Sequence, residues 1–103
     1  MSFITLYVTH KNMREAKKIV TRLLEHKLIA CANYFPITST YEWKGKLVSA
    51  TETVTLLKTQ KKLWKKVEAA ILEIHPYETP CIMKIDVSAN AAYESWVVQE
   101  TTV

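Results

Sequence analysis

Apolar residues recur at two spacings along this chain, and the switches between them mark out its elements. From Phe3 to Thr9, Ile4, Leu6 and Val8 alternate with Phe3, Thr5 and Tyr7, the period-2 pattern of a strand. Asn12 can cap a helix that keeps Ala16, Ile19, Val20, Leu23 and Leu24 on one side and ends near Leu28. Cys31 to Trp43 is a second extended stretch, in which Pro36 implies an edge position or a bulge. Lys44-Gly45, containing the only glycine, makes a turn. Leu47 to Lys58 returns as a third strand, with Val54 and Leu56 on one face and Thr53, Thr55 and Leu57 on the other. Helical spacing resumes with Leu63, Val67, Ala70, Ile71 and Ile74 and is closed by Pro76. Cys81 to Val87 is a fourth strand with Cys81, Met83, Ile85 and Val87 on one face, and Asn90 caps a short final helix through Trp96.

The order βαββαβ plus a C-terminal helix predicts an α+β fold, a ferredoxin-like sandwich with an antiparallel sheet and two helices on one face. The other face offers Phe3, Tyr7, Leu57 and several threonines rather than charges. The arms of the central hairpin run to about a dozen residues, roughly 40 Å at 3.3 Å per residue, against about seven for the outer pair. The overhang around Tyr41, Trp43 and Leu47 therefore projects past its own sheet. Exposed edges and aromatic tips find partners. A closed homo-oligomer is the economical answer, and it would place a site between subunits.

A chain of 103 residues is a single domain, residues 1–103, large enough for a core without staples. No run reaches the ~18 apolar residues of a membrane span. The run from Met1 to Leu6 has no basic n-region or small-residue cleavage site, so a cytoplasmic product is expected. Cys31 and Cys81 fit no zinc framework and read as free, small buried hydrophobes. The net charge of +4 comes from lysines and arginines placed mainly opposite the apolar stripes of the two main helices, where a helix is solvated. With no reading motif, nucleic acid is not expected as a partner, and neither is a membrane.

Chemistry concentrates in His75-Pro76-Tyr77-Glu78-Thr79-Pro80. The two prolines bias His75 and Thr79 toward extended backbone, so the turn is stiff. A plain connector does not need an imidazole, a phenol and a carboxylate. His75 can be a proton shuttle, a metal ligand or a hydrogen-bonded structural group. Glu78 can orient that ring, share a cation or pair with a lysine, and Tyr77 reads as a packing residue with a satisfied hydroxyl. His75, Glu78 and Cys31 or Cys81 would suit copper or zinc, yet one chain falls short of a full ligand set. Weak or subunit-shared binding stays open, and no cofactor is obligatory. The chain has no nucleophile elbow, phosphate-cradling glycine loop or triad spacing, so no enzyme is expected. Lys58 is either an anion contact or a solvated charge. Trp64 reads as packing, Trp43 as a subunit contact, and Trp96, with Tyr93 three residues before it, as a lid or a dock for the last helix.

Read in order, several segments resemble the CutA family of divalent-cation-tolerance proteins, in the PII-like superfamily. They are Leu28-Ile29-Ala30-Cys31-Ala32-Asn33, Ser39-Thr40-Tyr41-Glu42-Trp43-Lys44-Gly45-Lys46, Glu52, Lys58-Thr59, His75 to Pro80, and Tyr93-x-x-Trp96. The resemblance implies a homotrimer whose hairpins pair across subunits, with Tyr41 and Trp43 at the interface. It also implies a link to copper and other divalent cations, and clefts at the subunit boundaries. Carried over by position, His75, Glu78 and Cys31 are the metal candidates, and Lys58, Glu52, Tyr93 and Trp96 line the cleft. The chain departs from the family pattern in reading Ser49-Ala50-Thr51 where acidic residues are frequent. It has His10-Lys11-Asn12 where cysteine or proline is common; His10 is a soft ligand or, preferably, an ordinary loop residue. Ser88-Ala89-Asn90-Ala91 lacks a frequent glycine, and Asn90 can take a left-handed backbone there.

The expectation is a cytoplasmic homotrimer that binds copper(II), zinc(II) or similar ions weakly through His75 and its neighbours. One rival is a PII-like signalling module that holds a small anionic metabolite on Lys58. Another is a scaffold trimer without a ligand.

Overall fold

In a computed structural model that describes residues 3–103, the elements follow the expected order. Met1 and Ser2, which begin the N-terminal run read above, lie outside the described residues. The elements are β1 (Phe3–His10), α1 (Met13–Glu25), β2 (Cys31–Trp43), β3 (Lys46–Gln60), α2 (Trp64–Ile74), β4 (Ile82–Val87) and α3 (Ala91–Glu100). A single 3-10 turn, Lys61–Leu63, leads into α2. The sheet runs β2-β3-β1-β4 with every pair antiparallel, which is the ferredoxin-like order.

The alternation in β1 sorts the molecule into two sides. Ile4, Leu6 and Val8 are fully buried and meet Leu57 of β3, Ile19 and Leu23 of α1, and Val67 and Ile71 of α2. Removing this apolar surface from water is the main favourable term in forming the α/β layer. α1 begins where the Asn12 side chain accepts the Glu15 amide at 2.9 Å, satisfying a helix-end donor that would otherwise be unpaired. It stops at Glu25 rather than near Leu28. Lys27 turns left-handed (φ 57°), and the Leu28 and Lys27 amides reach back to the Leu23 and Leu24 carbonyls. This is a Schellman closure without its usual glycine. At the hairpin tip Lys44 and Gly45 both have positive φ, 52° and 79°, the geometry that matches strand twist.

The opposite side differs from expectation in three places. Leu57 faces the core, and Val54 and Leu56 share the open side with Phe3, Thr5 and Tyr7, because β1 and β3 pair Phe3 with Gln60 and Leu6 with Leu57. β4 begins at Ile82. Cys81 precedes it and is only partly buried, as is Cys31, while Met83 and Ile85 stand exposed on the open side because no helix covers that edge. α3 continues to Glu100 and packs on one end of this face, where Val97 and Tyr93 meet Phe3 and Val87. Asn90 precedes it in an extended conformation (φ −62°), not a left-handed one. The Glu94 carboxylate accepts the Ala89 amide at 3.0 Å in front of α3.

β1 leaves β3 at the pair His10–Thr53, but β2 and β3 continue together to Trp43–Lys46. The hairpin thus overhangs the sheet, and the long axis of the molecule, 45 Å against 24 and 21 Å, reflects this. Pro36 sits on β2, an edge strand, where its missing N–H leaves no ladder bond unmade.

Adjacent residues on α2 test this layering. Ile71 is fully buried and Leu72 is 52% exposed. Ile71→Ala is expected to cost about 2–5 kcal/mol in urea unfolding, and Leu72→Ala no more than about 0.5 kcal/mol. Similar losses at both positions would contradict the assigned helix face.

Candidate functional site

The turn between α2 and β4 is fixed by its histidine. His75 ends α2 in an extended conformation, as a residue before proline is biased to do, and it is 8% exposed. Its Nε2 lies 2.8 Å from the Thr9 carbonyl oxygen, and its Nδ1 lies 3.2 Å from the Tyr77 amide. A carbonyl only accepts and an amide only donates, so Nε2 carries the proton and Nδ1 presents its lone pair to Tyr77. Both ring nitrogens are committed. Glu78 is not one of the partners. The imidazole stacks on His10 with centroids 5.4 Å apart and meets the Tyr77 ring edge-on at 4.7 Å.

His10 is the residue that sequence reasoning misplaced. It is the last residue of β1, 1% exposed, and its Nε2 sits 2.8 Å from the Thr55 hydroxyl while Nδ1 has no hydrogen-bond partner among the described residues. Its signal was the alternation itself, since His10 continues the inward set Ile4, Leu6, Val8.

Tyr77, held by this stack, donates its hydroxyl to Glu52 Oε2 at 2.6 Å. Glu52 is the first β3 residue beyond the pairing with β1, so the contact closes the corner between loop, sheet and hairpin. A cavity of about 520 Å³ opens there on the uncovered face. Its floor is Tyr7, Thr9 and Ile37, its hairpin wall Tyr41 and Trp43, and its loop wall Tyr77, Glu78, Thr79 and Cys81. Burial and then the Glu52 carboxylate hold the Tyr77 hydroxyl and the Cys81 thiol above their ordinary pKa values, with the Tyr77–Glu52 hydrogen bond adding to the shift at Tyr77.

The remaining expected residues gather at the other end of the same face. Cys31 stands opposite Lys58 in the ladder, and its sulfur is 3.5 Å from the Tyr93 hydroxyl, which burial and this contact push up to about 12. Lys58 donates to the Asn33 side-chain carbonyl, and Trp96 lies 5.7 Å from the Tyr93 ring. From Lys58 to Glu52 is roughly 20 Å along the strand at 3.3 Å per residue. One chain therefore brings Glu52 and Glu78 together with Tyr41 and Trp43, and separately Cys31 with Lys58, Tyr93 and Trp96. It does not bring Cys31 to His75. Among the described residues no three His, Cys, Asp or Glu side chains are placed to hold one ion.

The buried histidine pair has a consequence for pH. Burial, then the neighbouring His75, lower the His10 pKa to about 4, against a smaller opposing pull from Glu52. The unfolded chain takes up this proton near pH 6.5, and the folded chain does so only near pH 4. Stability is thus full above pH 6.5 and falls as pH drops toward 4, by up to roughly 3 kcal/mol from this group. In His10→Gln, urea midpoints measured from pH 7 to pH 4 are expected to fall less steeply than in wild type. Parallel curves would show that His10 contributes nothing to the pH dependence of stability.

Comparison with known proteins agrees with the motifs and the sheet order. The family described as CutA1 divalent ion tolerance protein matches residues 4–100. The divalent-cation tolerance protein CutA of Pyrococcus horikoshii is 39% identical over 99 residues, 95% of this chain and 97% of that protein. The CutA structure from Archaeoglobus fulgidus, described as a periplasmic divalent cation tolerance protein, has a TM-score of 0.94 at 35% identity and covers 97% of this chain and 99% of its own. CutA1 from Ehrlichia chaffeensis gives a TM-score of 0.94 at 41% identity, over 98% of this chain and 96% of that one. With its motifs in order, its sheet order and nearly its whole length matched, the chain belongs to the CutA1 divalent ion tolerance family.

Proposed function

We propose that this chain acts as a homotrimer that binds divalent cations weakly at clefts where its open sheet face meets a neighbouring subunit. The observation that carries the reading is the unpaired overhang. Beyond Thr53, β3 has a partner only on its β2 side, while Leu47, Tyr41 and Trp43 stand exposed beside that free edge. Such an edge invites another chain, and closure of a ring would leave no edge open.

The cation reading takes its support from the donors at the foot of the overhang. Glu52, Glu78 and Cys81 line one cavity, and the relatives named above are divalent-cation tolerance proteins. Carboxylates alone would suit magnesium or manganese, and a thiol shifts the preference toward zinc and copper. These donors fall short of the usual four-ligand set, so a neighbouring chain must complete it. Cys31 can join only from that neighbour. His75, with both nitrogens taken, serves as the residue that positions Tyr77 and the loop rather than as a ligand. The same commitment argues for a binding protein rather than an enzyme. Both cysteines are free, which favours a reducing compartment and hence the cytoplasm.

Light scattering is expected to give three times the 11.9 kDa chain mass. Calorimetry with thiols kept reduced should show copper(II) and zinc(II) binding more tightly than magnesium. Glu52→Gln combined with Glu78→Gln should weaken the first two by about tenfold or more. A monomer mass would overturn the intersubunit cleft, and unchanged titrations in the double variant would overturn the cation site.

A further inference from the structure

The cavity at the foot of the hairpin has a composition that a metal ion does not explain. The chain carries 14 lysines and arginines and a net charge of +4. Yet no lysine, arginine or histidine lines this space, and both charged residues that do, Glu52 and Glu78, are acidic. Its other large side chains are Tyr7, Tyr41, Trp43 and Tyr77. Aromatic faces carry the negative lobe of the ring quadrupole and attract cations, more strongly once water is excluded.

We infer that this cavity binds a small organic cation, an alkylated ammonium ion, held against the rings of Tyr41, Trp43, Tyr7 and Tyr77 and neutralised by Glu52 and Glu78. Three features of the site support that class of ligand. At about 520 Å³ the space is far larger than one metal ion needs and falls in the range of small-molecule pockets. The lining is rich in carbon surface, and an alkylammonium sheds its water to meet such a surface at lower cost than a strongly hydrated ion does. The Tyr77 wall is set in place beforehand: its ring leans on His75 and its hydroxyl is bound to Glu52. A ligand therefore need not order it, which lowers the entropic cost of binding. Trp43 already draws a cation on its own, since the Lys44 ammonium lies 5.9 Å from its ring centroid without entering the cavity lining.

This inference shares Glu52 and Glu78 with the divalent-cation reading but does not rest on it. A metal ion needs the carboxylates and is indifferent to the rings; an organic cation needs both. The test is calorimetric titration of the assembled wild-type protein with tetramethylammonium chloride, with tert-butanol as the uncharged counterpart and zinc(II) run in parallel. Tetramethylammonium is expected to bind saturably and at least about tenfold more tightly than tert-butanol. Trp43→Leu, which keeps apolar bulk and removes the ring, should weaken tetramethylammonium by about tenfold and leave zinc(II) unchanged. Because Trp43 also lies near the proposed subunit contact, Glu78→Gln on the exposed loop provides a second variant, expected to weaken tetramethylammonium with the assembly intact by light scattering. Equal binding of the charged and uncharged probes, no saturable binding of tetramethylammonium, or full retention in both variants would each overturn the proposal. Loss of zinc(II) binding alone would sink the metal reading and leave this one standing.

Discussion

The His75 imidazole ties three segments of the chain to one another. Its Nε2–H holds the Thr9 carbonyl of β1, its Nδ1 holds the Tyr77 amide of the following turn, and its face lies on His10. Pro76 and Pro80 stiffen that turn but do not aim it; the ring does. Once Tyr77 is aimed, its hydroxyl reaches Glu52 on the hairpin, and the cavity acquires a wall. The most versatile side chain of the motif is thus spent on architecture. The groups left to meet a ligand are the others around the cavity: two carboxylates, a thiol and a set of aromatic faces.

A second constraint acts on a larger scale. β2 and β3 are longer than the strands beside them, so the ladder that begins at Cys31–Lys58 outruns β1 after Thr53. The core has no part in that overhang, because its helices cover only the other side of the sheet. Beyond the Tyr77–Glu52 contact at its base, the overhang is held by hairpin hydrogen bonds and its turn, which is marginal for an isolated ribbon in water. The length mismatch ties fold to proposed assembly, and the cavity lies at the point where the mismatch begins.

Much of this was legible in the residues. The alternation of Ile4, Leu6 and Val8 located β1, the spacing of Val67 and Ile71 located α2, and Lys44-Gly45 located the turn, because each is a local rule acting on local sequence. Leu57 was misplaced because adjacent leucines at 56 and 57 satisfy either face, and only the register Leu6–Leu57 decides between them. His10 was misread because a polar residue at the end of an apolar alternation looks like the start of a loop. Its burial depends on Thr55 and His75, which are far away in sequence. The residue types of the candidate site were legible too, but their grouping was not. Cys31 and His75 look equivalent as soft donors along the chain, but the fold puts Cys31 opposite Lys58 on the open face and His75 against His10 at the other end of the sheet.

The central claim is that His75 is a structural lock and not a ligand, and its tautomer tests this most directly. Long-range proton–nitrogen NMR correlations of the imidazoles distinguish a ring protonated at Nε2 from one protonated at Nδ1, and both from a metallated ring. The account predicts that His75 is protonated at Nε2 with an acceptor Nδ1, and that its nitrogen shifts do not move when zinc(II) is added in excess. A proton on Nδ1, or a nitrogen shift on His75 that follows zinc(II) occupancy, would contradict it.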